Sequence, residues 1–150
     1  MGRSYRLRLE PGDVPRVRAV RGFFLVAGVD FHDADGIKTL LDDWYMAHAE
    51  IQFNKRLAVC RAGFPAQGGF TPSSMKIHAM KSRWGSMSAA GRLLLHPGLV
   101  RAPREGIDYV ITHELCHLAI ANHSSDFYRL LASVMPDWEL RKERLERFMA

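Results

Sequence analysis

Asp108-Tyr109-Val110-Ile111-Thr112-His113-Glu114-Leu115-Cys116-His117-Leu118 is the stretch on which the reading of this 150-residue chain turns. The apolar residues Ile107, Ile111, Leu115 and Leu118 recur at helical spacing, so the run His113-Glu114-Leu115-Cys116-His117, an HExxH pattern, falls inside a helix expected from about Arg104 to Ala121. Residues four apart on a helix have Cβ atoms about 5–6 Å apart, and two imidazoles so placed can share one zinc ion at roughly 2.0–2.1 Å. At about 100° per residue, with His113 at zero, His117 falls near 40°, while the four apolar residues cluster between roughly 120° and 200°. Core histidines satisfied by backbone groups would lie within that stripe. This pair faces away from it, as a metal site on the polar side of a half-buried helix would. Glu114 then stands beside the metal rather than on it, where it can serve as a base. Tyr109 and Cys116 fall near −40° and −60° and flank the same face, packing being the simpler role for each.

A catalytic zinc takes three protein donors and leaves a fourth position for water, so a third donor is required. His123 is the expected one, since it lies just past the helix end and just before Ser124 or Ser125, either of which can cap a new helix after a tight reversal. The His113–His123 spacing resembles the HExxHxxGxxH pattern of metzincins, but Ile120 stands at their glycine and no Met-turn follows. The alternative third donor is an acid from a later helix, as in gluzincins, with Asp126 and Glu139 as candidates. The expected chemistry is hydrolysis: zinc acidifies a water, Glu114 takes its proton, and a polarised carbonyl is attacked. Tyr109, Arg83 and His96 are candidates for stabilising the oxyanion, each with a structural role as the simpler reading.

Outward from this helix, strands come first and helices later, an α+β layout. Tyr5-Arg6-Leu7-Arg8-Leu9 alternates as a half-buried strand, Pro11-Gly12-Asp13 is turn chemistry, and Arg16 to Val20 and Phe23 to Val26 are further short strands whose register is unreadable. From about Gly36 to Cys60, Ile37, Leu40, Leu41, Trp44, Tyr45, His48, Ile51, Leu57 and Val59 indicate one long amphipathic helix, with Trp44 and Tyr45 in the core. The Gly63 to Ser74 stretch reads as a loop. Met75 to Met80 and Arg92 to His96 are expected to form a hairpin around a glycine-containing connection. A helix ended by Pro136 and a charged closing helix over Asp137 to Phe148 complete the chain. The expected division is a short N-terminal strand region, 1–35, and a second region, 36–150, within a single domain.

Composition excludes several classes. Hydrophobic residues are 47% and charged residues 25% of the chain, which is globular rather than disordered. Net charge is +5, but basic residues from Arg3 to Arg147 are interleaved with acids, so no dedicated nucleic-acid-binding motif is present. No apolar run suits a signal peptide or a membrane span, and Cys60 and Cys116 form no CxxC pair, so a cytoplasmic protein without disulfides or membrane partners is expected.

Lys81-Ser82-Arg83-Trp84-Gly85-Ser86, then Asp108 to Thr112 leading into His113 to Leu118, then Asn122-His123-Ser124 and Met135-Pro136-Asp137-Trp138, resemble the YgjP-like metallopeptidases, relatives of the SprT-like and WLM proteins. The resemblance runs from about Gly36 to the C-terminus. It implies a zincin-like fold, zinc held by His113, His117 and His123, and Glu114 as the catalytic glutamate. Met87 stands where that family usually has cysteine after Trp-Gly-Ser, His96 where it tends to have asparagine, and the N-terminal sheet region is short and poorly matched. Lys81, Arg83 and Trp84 suit a cleft wall and are candidate substrate-binding residues. Equally, Trp84 could plug the core and Arg83 pair with an acid. A peptide or protein substrate would add as a strand along Met75 to Met80. A nucleotide whose phosphates meet Lys81 and Arg83 is the second substrate class. A non-catalytic zinc module is the third reading, against which Glu114 stands, because a structural site needs no base and takes four protein donors.

Overall fold

The computed structural model describes residues 6–10, 16–20, 23–27 and 33–150. Tyr5 and the turn read at Pro11-Gly12-Asp13 lie outside them. Three short strands, β1 (Arg6–Glu10), β2 (Arg16–Val20) and β3 (Phe23–Ala27), form one sheet in the order β1-β3-β2. β1 runs parallel to β3, with Arg6 opposite Phe23, and β2 runs antiparallel to it, with Arg16 opposite Ala27. This is the register that alternation alone left open.

Helix α1 (Ala34–Ala62) begins where the Asp33 carboxylate accepts the Gly36 N–H at 2.9 Å. Its buried face is Ile37, Ala49, Phe53, Arg56 and Cys60, a three-and-four spacing that differs from the expected stripe. Ile51 is 64% and Val59 50% exposed. Hydrophobicity misled here because the true stripe contains Arg56. Trp44 and Tyr45 are half-buried under the N-terminal sheet, their rings 4.9 and 5.4 Å from that of Phe24.

The second sheet corrects the expected hairpin. It comprises β4 (Ser74–Ile77), β5 (Gly85–Met87) and β6 (Arg92–Leu95) in the order β4-β6-β5. β4 pairs parallel to β6, and the hairpin is β5–β6. Strand β5 lay in the stretch read as connection, because Gly-Ser-Met is too short and too small-sided to show alternation. A 3₁₀ turn, Pro97–Arg101, leads to α2 (Arg104–Cys116), followed by α3 (Ser125–Val134) and α4 (Trp138–Met149).

α2 is the central element. Ten of its residues are buried, with α1, α3, α4 and β5 packed around it, and Ile107, Ile111 and Leu115 are at most 1% exposed. It is shorter than the expected span to Ala121. His117 closes it, and the N–H groups of Leu118 and Ala119 turn back to the carbonyls of Leu115 and Cys116 at 3.1 Å each. No helix among the described residues is long and apolar enough to cross a membrane. Cys60 and Cys116 are both free and buried.

Candidate metal centre

The tight end of α2 brings three histidines together. His113 sits on the last turn, His117 caps the helix, and His123 returns from the loop just before the Ser124 cap of α3. The His123 Nε2 lies 3.1 Å from the Nε2 of His113 and 3.1 Å from that of His117. The potential donor atoms of the three residues all lie within 4.8 Å of one another. Donors bound tetrahedrally at about 2.0–2.1 Å would stand roughly 3.3 Å apart, so the spacing fits one ion without rebuilding the site.

The outer ring nitrogens support the same direction. His117 Nδ1 lies 3.0 Å from the Ile120 carbonyl; a carbonyl only accepts, so Nδ1 carries the proton and Nε2 keeps its lone pair for the cluster. His113 Nδ1 is 3.4 Å from the Tyr109 hydroxyl, which puts Tyr109 behind the histidine. Burial lowers the pKa of His113 to about 4, with the neighbouring imidazoles and Lys142 acting in the same sense. Burial lowers that of His117 too. Both rings are therefore neutral at physiological pH, the state in which imidazole donates to a metal.

These rings open on a cleft of about 710 Å³, within the roughly 300–1,000 Å³ usual for ligand sites. One wall is Ser82 to Ala89, the floor includes Tyr109, Val110, His113 and Glu114, and the far wall is Lys142, Leu145 and Glu146 of α4. Glu114 is 8% exposed, and its burial raises the carboxyl pKa to about 7, opposed only in part by the Arg83 guanidinium. β5 crosses α2 closely: a Cβ on Gly85 would lie 2.9 Å from Val110 Cγ1 and 3.2 Å from Glu114 Cγ. Glycine is required there for the strand to approach the helix.

Of the other candidates, Arg83 and Trp84 line the cleft and Lys81 does not. Trp84 also packs against the core, its ring edge-on to His96 at 5.2 Å. His96 lies outside the cleft, because its Nδ1 accepts the Gly98 N–H at 2.9 Å and caps the 3₁₀ turn. Cys116 points into the core and is 0% exposed. Asp126 pairs with Arg129 at the surface, and neither Asp126 nor Glu139 joins the histidine cluster. Sequence reading missed Phe127, Lys142 and Glu146. Lys142, Leu145 and Glu146 share one face at helical spacing, and that mixture of a buried leucine with two charges was the available signal of a cleft wall.

Comparison with curated proteins finds no match. Among solved structures, the chain is similar to the metallopeptidase zymogen abylysin of Pyrococcus abyssi, with 24% identity over 64% of this chain and 87% of that one, at a TM-score of 0.49. The profile of the YgjP-like metallopeptidase domain matches residues 1–148, and so takes in the N-terminal strands that the motifs alone left poorly matched. With nearly its whole length matched, this α+β chain belongs to the YgjP-like metallopeptidase family.

Proposed function

We propose that the chain is a zinc-dependent peptidase in which His113, His117 and His123 hold the metal and Glu114 is the general base. One observation carries this reading: three imidazole Nε2 atoms converge beside a buried carboxylate at the floor of an open cleft. Zinc held there would supply a Lewis acid for a peptide carbonyl and acidify a water at its remaining position. Glu114, buried beside the histidines, accepts that proton and returns it to the leaving amine. Arg83, on the cleft wall and close enough to act on Glu114, is the candidate partner for the oxyanion. Tyr109 steadies His113 instead, being hydrogen-bonded behind it.

The substrate strand belongs on β5 rather than along Met75 to Met80. β4 sits on the far edge of its sheet, beyond β6, whereas β5 is the edge lining the cleft. The His96 N–H bonds the Trp84 carbonyl at 2.9 Å and the Ser88 N–H bonds the Arg92 carbonyl at 3.0 Å. Trp84, Ser86 and Ser88 therefore face β6, and the backbone groups of Gly85 and Met87 face outward, free to pair with an extended peptide. The nucleotide alternative is weaker, since Lys81, one of its two phosphate-binding cations, is not part of the cleft wall.

Glu114→Gln tests the mechanism, because the amide is nearly isosteric but cannot take the proton. Cleavage of an unfolded protein or a fluorogenic peptide mixture should fall by roughly 10²–10⁴ with zinc content unchanged. A variant with full activity, or a zinc-loaded wild type that cleaves no peptide, overturns the reading.

A further inference from the structure

We propose that Phe127 is the positioning residue of the histidine cluster, one buried ring that holds all three imidazoles at their convergence. This inference rests on the metal-binding role proposed above. Phe127 is 0% exposed, and its ring centroid lies 5.0 Å from that of His113, 4.5 Å from that of His117 and 5.0 Å from that of His123. Among the described residues it is the one non-histidine ring in contact with all three. It lies flat against His117 at 28° and edge-to-face with His113 and His123 at 67° and 88°, the arrangements that aromatic rings favour.

Three imidazoles need such a surface for a physical reason. Rotation about the outer side-chain bond of histidine is broad and roughly two-fold, so nothing intrinsic to the side chain keeps Nε2 aimed at a common point. His117 is tethered through its Nδ1 to a carbonyl and His113 more loosely to a hydroxyl. His123 is exposed, and among the described residues its only hydrogen-bond contacts are the two Nε2 approaches within the cluster. Beyond the other two histidines, its ring neighbours are Phe127, edge-to-face at 5.0 Å, and Tyr128, near-parallel at 6.3 Å.

Local structure ties these parts together. The Ser124 hydroxyl accepts the Phe127 N–H at 3.4 Å, so the cap that starts α3 fixes Phe127 at the third helical position and His123 immediately before the cap. His123 against Tyr128 has the geometry of a staple across the helix start, and Tyr128 is in turn stacked on Trp138 at 5.3 Å. One capped turn thus delivers both a metal donor and the apolar surface behind all three donors.

The test compares Phe127→Leu with Leu131→Ala. Leu131 is equally buried one turn further along α3 and is not a ring neighbour of the cluster. Zinc affinity is read by competition with a chromophoric chelator, coordination by the visible spectrum of the cobalt(II) form, and folding by the melting of metal-free protein. Phe127→Leu should weaken zinc binding roughly 10- to 100-fold and broaden or shift the cobalt bands. Leu131→Ala should lower the melting temperature while keeping wild-type affinity and spectrum. If the leucine protein does not fold, Phe127→Met fills the space without a ring and takes its place. A ringless variant with wild-type zinc affinity and cobalt spectrum overturns the inference and leaves the proposed function standing. A wild type that binds neither metal sinks both.

Discussion

Glu114 and His113 are neighbours in sequence that burial pushes in opposite directions, the carboxyl up from 4.5 to about 7 and the imidazole down from 6.5 to about 4. In each case the low-dielectric floor of the cleft disfavours the charged form. The stability of the metal-free protein follows. As pH rises from about 4.5 through 7, the unfolded chain releases the Glu114 proton before the folded one does, so stability falls and the loss is complete above 7. As pH falls from 6.5 towards 4, the unfolded chain takes up the His113 proton first, and stability falls on that side too. Metal-free Glu114→Gln should therefore melt roughly 7–14 °C above wild type at pH 8 and match it near pH 4. One pK unit is worth about 1.4 kcal/mol, and 1 kcal/mol moves a chain of this size by roughly 2–4 °C. Equal melting temperatures at pH 8 would refute burial as the cause.

Among elements, α1 and α2 are joined by a buried ion pair as well as by apolar packing. Arg56 Nε and NH2 meet the two Asp108 oxygens at 2.7 Å each, with the residues 9% and 8% exposed. The carboxylate raises the Arg56 pKa by its hydrogen bonds, against the effect of burial. The Cys60 thiol, 3.6 Å from the Asp108 carbonyl, is pushed up to about 12 by burial and stays a thiol. Arg56→Met leaves Asp108 buried and unpaired, and should cost roughly 3–5 kcal/mol in urea unfolding. Arg56→Met with Asp108→Leu should recover most of that loss, since an apolar pair of similar volume is often neutral. A double variant no more stable than the single one would mean that the pair is not the joint between the helices. Helical periodicity revealed that α1 and α2 exist, but a charged residue inside an apolar stripe hid which faces meet.

At the scale of the whole molecule, the candidate site draws on parts far apart in sequence: the β5 edge, the end of α2, the start of α3 and the wall of α4. An ion bound only by the folded state should therefore stabilise the entire chain. Free zinc at about 100 times its dissociation constant is worth roughly 2.7 kcal/mol. Adding zinc to chelator-treated protein should raise the melting temperature by several degrees. His123→Ala should lose that shift, whereas Asp126→Ala and Glu139→Ala should keep it. The reverse pattern would replace His123 with an acid as the third donor.

What the sequence by itself determined is local. The apolar spacing from Ile107 to Leu115, the pairing of His113 with His117 four residues apart, a serine cap at Ser124 or Ser125 and the limits of β2 are all set within one helical turn or one strand, where backbone geometry dictates which residues share a face. What only the tertiary structure decided depends on separate segments meeting. The parallel pairing of β4 with β6 left β5 as the sheet edge that lines the cleft. The close crossing at Gly85 set that edge over Glu114. Phe127 reached all three histidines only once α3 had folded back under α2. A three-residue strand and a lone buried phenylalanine have no period to read, so their roles come from what packs against them.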